Sequence, residues 1–114
     1  MKSFIKVMKA LSDPSRVKIL KMLQKKHMCV CELRAVLKLA QPTVSKHLKI
    51  LEEAGLVESE KDKLWVNYLL AKQPESPYAA TMLVQLKKWL NDEKSIEEIY
   101  RILPTIDRIE VCKL

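Results

Sequence analysis

A chain of 114 residues, 48% of them apolar and 31% charged, is long enough to build one hydrophobic core and too apolar to be a disordered tail. No apolar run approaches the roughly 20 residues that a membrane-spanning helix needs, and the opening MKSFIKVMKALSD breaks its apolar pairs with lysine, so neither a membrane span nor a secretory leader is expected and the expected compartment is the cytoplasm. Lys and Arg (21) exceed Asp and Glu (14) by 7, a balance that attracts polyanions such as nucleic acid or an acidic membrane surface, although a merely solvated basic surface gives the same sum.

Phe4, Val7, Met8 and Leu11 mark one face of a first helix that stops near Ser12. Asp13 and Pro14 open a second, with Asp as N-cap and Pro in the first turn, and Val17, Leu20 and Leu23 along one face. Cys31 to Leu37 predicts a short third helix. A fourth starts near Gln41-Pro42, turns Val44, Leu48 and Leu51 inward, and ends at Gly55, the only glycine, which fits the left-handed C′ position. The period then changes: residues 56–60 and 64–70 read as two strands around a polar turn, Lys61-Asp62-Lys63. After Pro74 and Pro77 a long helix resumes at Tyr78, carrying Met82, Leu83, Leu86, Trp89 and Leu90, and a capping box from Ser95 to Glu98 predicts another. The expected fold class is mainly α with a small β-hairpin, in one domain.

Short helix, tight turn, second helix and basic-tipped hairpin is the element order of a winged helix-turn-helix. A helix about 10–12 Å across enters the roughly 12 Å major groove, while the hairpin lies along the neighbouring backbone. With Val44, Leu48 and Leu51 inward, Lys46 falls nearly opposite, flanked by Pro42 and Lys49, with Thr43, Ser45 and His47 nearer the margins. No carboxylate appears on that helix before Glu52, a separation of sign that an ordinary solvated face does not require.

The run LAQPTVSKHLKILEEAGLVESEKDKLWVNYLL resembles the ArsR/SmtB family of metal- and metalloid-responsive repressors, whose recognition region commonly reads like SQPTVSxHLxxLxxAGLV; the resemblance extends over roughly residues 3 to 90. It implies a homodimer through the N-terminal helix and the C-terminal helices (1–11 and 78–103), a helix-turn-helix at 31–54, a wing at 56–70 and a tail at 104–114. It places Gln41, Thr43, Ser45, Lys46 and His47 against DNA; Lys46, Lys49, Lys61 and Lys63 are expected to supply the attraction to phosphates. The partner implied is double-stranded operator DNA with an inverted repeat. Two departures stand out: Ala40 replaces the usual Ser cap, forgoing about 1 kcal/mol, and the wing turn lacks the frequent Gly.

Within that family a CVC element followed by an acidic residue and Leu resembles the inducer site of arsenite and antimonite repressors, and related cadmium and lead sensors use the same helix. Here it is Cys29-Val30-Cys31, with Cys31 expected at the N-cap and Cys29 in the extended segment before it. Two residues two positions apart inside a helix point about 200° apart, so shared coordination requires the first to lie outside it. A helix N-terminus is also expected to favour thiolate over thiol. Where one family form has a third Cys this chain has Arg34, so a three-sulfur site needs Cys112, from this chain or a partner; alternatively Cys112 is a small, partly buried apolar residue.

The expected inducers are As(III) or Sb(III), with Cd(II) or Pb(II) as further candidates. The alternative to sensing is a pair of buried, inert thiols; a site of two thiolates plus a small ligand, or one using His27, stays open, although His27 is expected at the surface. Residues 76–114 contain no His, so the family's zinc site on the C-terminal helix is not expected. A thiol-redox regulator on the same fold is a second reading. A thiol-disulfide enzyme is a distant third, because the βαβ context, a Ser/His/Asp set and a glycine-rich phosphate loop are all missing and no enzyme is expected.

Overall fold

Residues 1–112 are described by the computed structural model; the last two residues of the expected tail lie outside them. The element order is α1 (Lys2–Leu11), α2 (Pro14–Leu23), α3 (Val30–Leu37), α4 (Gln41–Glu53), β1 (Val57–Asp62), β2 (Trp65–Leu70), α5 (Pro77–Lys88), α6 (Lys94–Ile102), a 3-10 turn at Leu103–Thr105, and α7 (Arg108–Cys112). This is a winged helix-turn-helix: α3 and α4 pack together and β1 pairs antiparallel with β2 from Val57↔Leu70 to Asp62↔Trp65.

Local chemistry fixes the helix ends. The Asp13 carboxylate accepts from the backbone N–H groups of Ser15 (2.8 Å) and Arg16 (3.1 Å), with Pro14 in the first turn of α2. Asp13→Ala is expected to cost about 1 kcal/mol, read as a lower urea midpoint at unchanged slope. At the other end of the reading unit, Gly55 has φ 75°, its N–H donates to Glu52 O (2.9 Å), and the Leu56 N–H donates to Leu51 O (3.0 Å). That is a Schellman closure, and it turns the chain from α4 directly into the wing.

The core joins Val7 and Ala10 of α1, Leu33 and Val36 of α3, Val44, Leu48 and Leu51 of α4, and Leu83 and Leu86 of α5 around α2. Helix α2 is more deeply set than one apolar face implies, because Ile19, Leu20, Lys21, Met22 and Leu23 are all buried while Val17 is only half-buried. Lys21 is fully buried, and its Nζ donates to Leu86 O (2.5 Å), Trp89 O (2.8 Å) and Asn91 Oδ1 (2.7 Å). Leu86 O lies in the last turn of α5 and Trp89 O at its C-cap, where carbonyls lack intrahelical partners, and Asn91 Oδ1 comes from the connection that follows.

Four boundaries differ from expectation. Helix α3 begins at Val30, and Cys29 rather than Cys31 is its N-cap (φ −86°, ψ 170°). The reason is Glu32, whose carboxylate accepts the Cys29 N–H at 3.0 Å while the Cys29 sulfur faces the Glu32 N–H, a capping box that only Cys29 can complete. The wing turn is Lys63-Leu64 rather than 61–63: Lys61 and Asp62 continue β1, and Lys63 supplies at φ 57° the left-handed residue that glycine usually provides.

Helix α5 stops at Lys88, so Trp89 and Leu90 lie in a connection where Leu90 has φ 68°. Helix α6 starts at Lys94 behind Glu93, and the Ser95–Glu98 box does not form because Glu98 pairs with Arg101. The segment expected as a tail instead folds back, and α7 packs on α3. Among the described residues no helix is long and apolar enough to cross a membrane.

Candidate thiol site and nucleic-acid interface

The return of α7 brings the third thiol to the other two. The sulfurs of Cys29, Cys31 and Cys112 all lie within 4.8 Å of one another, and Cys29 Sγ is 3.6 Å from Cys112 Sγ of the same chain. Cys29 is buried and the other two are half-buried. The pair flanking Val30 converges because Cys29 sits outside the helix with extended backbone and Cys31 sits inside its first turn, so the 200° divergence of two in-helix side chains does not arise. His27 is exposed, as expected.

The electrostatics differ from the thiolate expected at a helix start. Burial pushes the Cys29 thiol up, and the neighbouring Glu32 charge adds to this against the favourable Glu32 N–H. Burial also pushes Cys112 up strongly, reinforced by the adjacent sulfurs. At Cys29 desolvation outweighs the helix terminus, and at both Cys29 and Cys112 burial favours the thiol over the thiolate.

Glu32 is buried beside them. Its burial favours the neutral acid, yet the Cys29 N–H and the Arg108 guanidinium overcome that and hold the carboxyl below the ordinary range. Arg108 Nη2 donates to Glu32 Oε1 at 2.9 Å and Nε to the same oxygen at 3.2 Å, while Nη2 also donates to Asn67 Oδ1. The guanidinium carbon lies 4.5 Å from the centroid of the Trp65 ring. Immediately before the site, Met28 and Tyr68 exchange backbone hydrogen bonds (3.1 and 2.8 Å), so the segment entering α3 is an extra rung on the wing.

On α4, Gln41, Pro42, Thr43, Ser45, Lys46 and Lys49 are exposed, whereas Val44, Leu48 and Leu51 are buried. Lys61 and Lys63 are exposed on the wing. His47 is half-buried, and its Nδ1 lies 3.2 Å from Arg16 Nη1. A guanidinium only donates, so in this contact Nδ1 is the acceptor. Arg16 is itself anchored by the carbonyls of Ala10 (2.8 Å) and Lys9 (3.2 Å), tying the reading helix to the end of α1.

Arg16, Lys21, Glu32 and Arg108 escaped expectation from sequence. Lys21 left one trace, a position four after Val17 where an apolar residue fits the period, and Glu32 left another, three after Cys29 in capping-box spacing. Arg16 and Arg108 left none, because the side chains they meet, His47 for the one and Asn67 and Glu32 for the other, are 31 to 76 residues away.

A two-helix reading unit with a polar, basic outer face and a wing tipped by Lys61 and Lys63 defines a winged helix-turn-helix DNA-binding protein, here with a three-thiol cluster against its first helix. A family model described as "Bacterial regulatory protein, arsR family" matches residues 13–59. The arsenical resistance operon repressor of Escherichia coli K12 is 33% identical over 100 residues, 87% of this chain and 83% of that one. The chain belongs to the ArsR family of transcriptional regulators. HlyU from Vibrio cholerae has a TM-score of 0.64 at 31% identity, covering 76% of this chain and 90% of its own. The cadmium sensor CMTR of Mycobacterium tuberculosis has a TM-score of 0.60 at 28% identity, covering 77% and 84%.

Proposed function

We propose that the protein is a homodimeric repressor that binds an inverted-repeat operator and releases it when As(III) or Sb(III) is captured by Cys29, Cys31 and Cys112. The observation that carries this reading is the convergence of three sulfurs, two from the start of the first reading-unit helix and one from 83 residues away, within 4.8 Å. Three thiols at that spacing suit a trigonal thiophilic ion.

Their protonation bears on which ion. Trihydroxyarsenic(III) exchanges its three hydroxyls with three thiols to give three As–S bonds and three waters, with no net proton release. A divalent cation must expel the thiol protons. Proton release therefore weighs against Cd(II) or Pb(II) as pH falls and leaves arsenite unhindered. Between pH 6 and 8, arsenite affinity is expected to stay nearly flat, while Cd(II) affinity rises steeply, by up to about a thousandfold per pH unit if three protons leave. Titrations at several pH values check this, and equal slopes for the two ions would remove the preference.

Exposed apolar residues support the dimer. Met1, Phe4 and Ile5 of the N-terminal segment, and Tyr78 and Val84 of α5, are all at least 41% exposed, and Phe4 meets Tyr78 edge-on at 5.3 Å. Helix α6 shows Lys94, Glu97, Glu98 and Arg101 to solvent, and of the interface expected over 78–103 the exposed apolar residues named here favour the α5 part. Two reading helices about 34–36 Å apart enter successive major grooves. Gln41, Thr43, Ser45 and His47 then read bases, while Lys46, Lys49, Lys61 and Lys63 neutralise phosphates. Lys46→Ala or Lys49→Ala is expected to weaken binding to all operator sequences alike and to lower the salt slope by about 1 each.

The test is an operator titration with and without arsenite, in which an affinity loss of roughly 5–150-fold is expected. Unchanged affinity at saturating arsenite sinks the reading. A redox switch remains the second reading, favoured only by the 3.6 Å Cys29–Cys112 approach. Hydrogen peroxide would then convert two thiols to a disulfide and two waters, giving a product two hydrogens lighter that has lost its operator. The raised thiols argue against it, since thiolate is the reactive form.

A further inference from the structure

We propose that Arg108 is the positioning residue through which the thiol site governs the wing; this rests on the thiol-sensing reading above. Cys112 and Arg108 are four residues apart on α7 and so share one helix face. Whatever fixes the Cys112 sulfur against Cys29 and Cys31 also fixes the Arg108 fork. That fork spans two parts of the DNA-binding unit: Glu32 of α3, and Asn67 with Trp65 on one face of β2.

The Met28–Tyr68 backbone rung also joins the start of α3 to the wing, but it reaches α7 only indirectly, through Cys29, whose sulfur meets that of Cys112. Among the described side-chain contacts, Arg108 alone reaches directly from α7 to the wing. Capture of an ion by the three sulfurs locks α7 down, locks the guanidinium between Glu32 and Trp65, and holds β2 at one angle to α3. Lys61 and Lys63 ride on the far end of that hairpin, so a fixed angle sets their distance from the phosphates beside the major groove. The ion thereby acts on the wing as well as on the start of α3.

Arg108 is no ligand, so its removal separates capture from response. In the full chain carrying Trp89→Phe, Trp65 is the sole tryptophan, and its emission reports the guanidinium stack with or without an ion. Arg108→Met is expected to shift that emission in the ion-free protein and to abolish its further change with arsenite. Arsenite should still protect three thiols per chain, while the ratio of operator affinities without and with arsenite falls to within about threefold of one. Trp65→Leu should reproduce the loss of ratio, and the double variant should lose nothing further, as members of one path do. Arg108→Lys, which keeps the charge opposite Glu32 but not the fork, should respond in between.

A wild-type ratio in Arg108→Met, or losses that add in the double variant, overturns the proposal. If Arg108→Met does not fold, Trp65→Leu and Asn67→Ala decide from the wing side, and unimpaired release in both overturns it equally. Failure of the parent protein to release its operator with all three thiols protected would instead sink the sensing reading, a result distinct from either.

Discussion

Replacing Cys29 and Cys31 together by Ser is expected to leave operator affinity of the ion-free protein within about twofold of wild type and to reduce the arsenite effect from roughly 5–150-fold to none. Serine is nearly isosteric with cysteine and a better N-cap, so the start of α3, held by the Glu32 carboxylate on the residue 29 N–H, should survive the change. What disappears is the soft donor pair. Cys112→Ser is expected to be milder: two sulfurs remain within reach of each other, and arsenite binds more weakly without the tie to α7. Operator titrations across arsenite concentrations separate these cases, because lost affinity for the ion moves the midpoint whereas lost coupling lowers the plateau. Full release by the double variant would place the inducer site elsewhere in the chain.

The largest stability effect is expected at Lys21. Lys21→Met keeps the length and apolar stem but leaves Leu86 O, Trp89 O and Asn91 Oδ1 without their common donor. Each buried acceptor left unpaired costs about 1–3 kcal/mol, and the outer two are partly exposed, so a total near 3 kcal/mol is expected. Against this stands the cost of burying the ammonium, which pushes the lysine below its ordinary range. Urea unfolding decides: a loss of about 3 kcal/mol means the three bonds outweigh desolvation, and a change near zero means the two cancel. Because the same ammonium closes the end of α5, the variant should also weaken the proposed dimer, visible as a concentration-dependent unfolding midpoint.

How far the sequence carried can be judged from these residues. Helix α2, the α4 face and the Gly55 turn were legible because each is set by neighbours within four residues: a cap, a 3.6-residue period, a left-handed glycine. The QPTVSKHL run identified the reading helix, and its inward and outward residues fall where the period put them. The N-cap of α3 was misplaced by two residues, at Cys31 rather than Cys29, because Glu32 was read as part of a motif rather than as a capping partner.

The wing turn was shifted because Lys63 takes a conformation that its residue type disfavours. The return of α7 was illegible in principle. Nothing local in a five-residue helix says which surface it meets, and the contacts that hold it, Arg108 to Glu32 and Cys112 to Cys29, join residues 76 and 83 apart. The burial that keeps Cys29 and Cys112 protonated follows from that packing and was equally hidden.

The most direct test of the three-thiol account is a count of alkylatable thiols by mass as arsenite is added to the reduced, operator-bound protein, with DNA release followed in the same samples. The account predicts that one arsenite per chain removes all three cysteines from alkylation together, and that release tracks this loss. Release with Cys112 still fully reactive, or three protected thiols on a protein that keeps its operator, would contradict it.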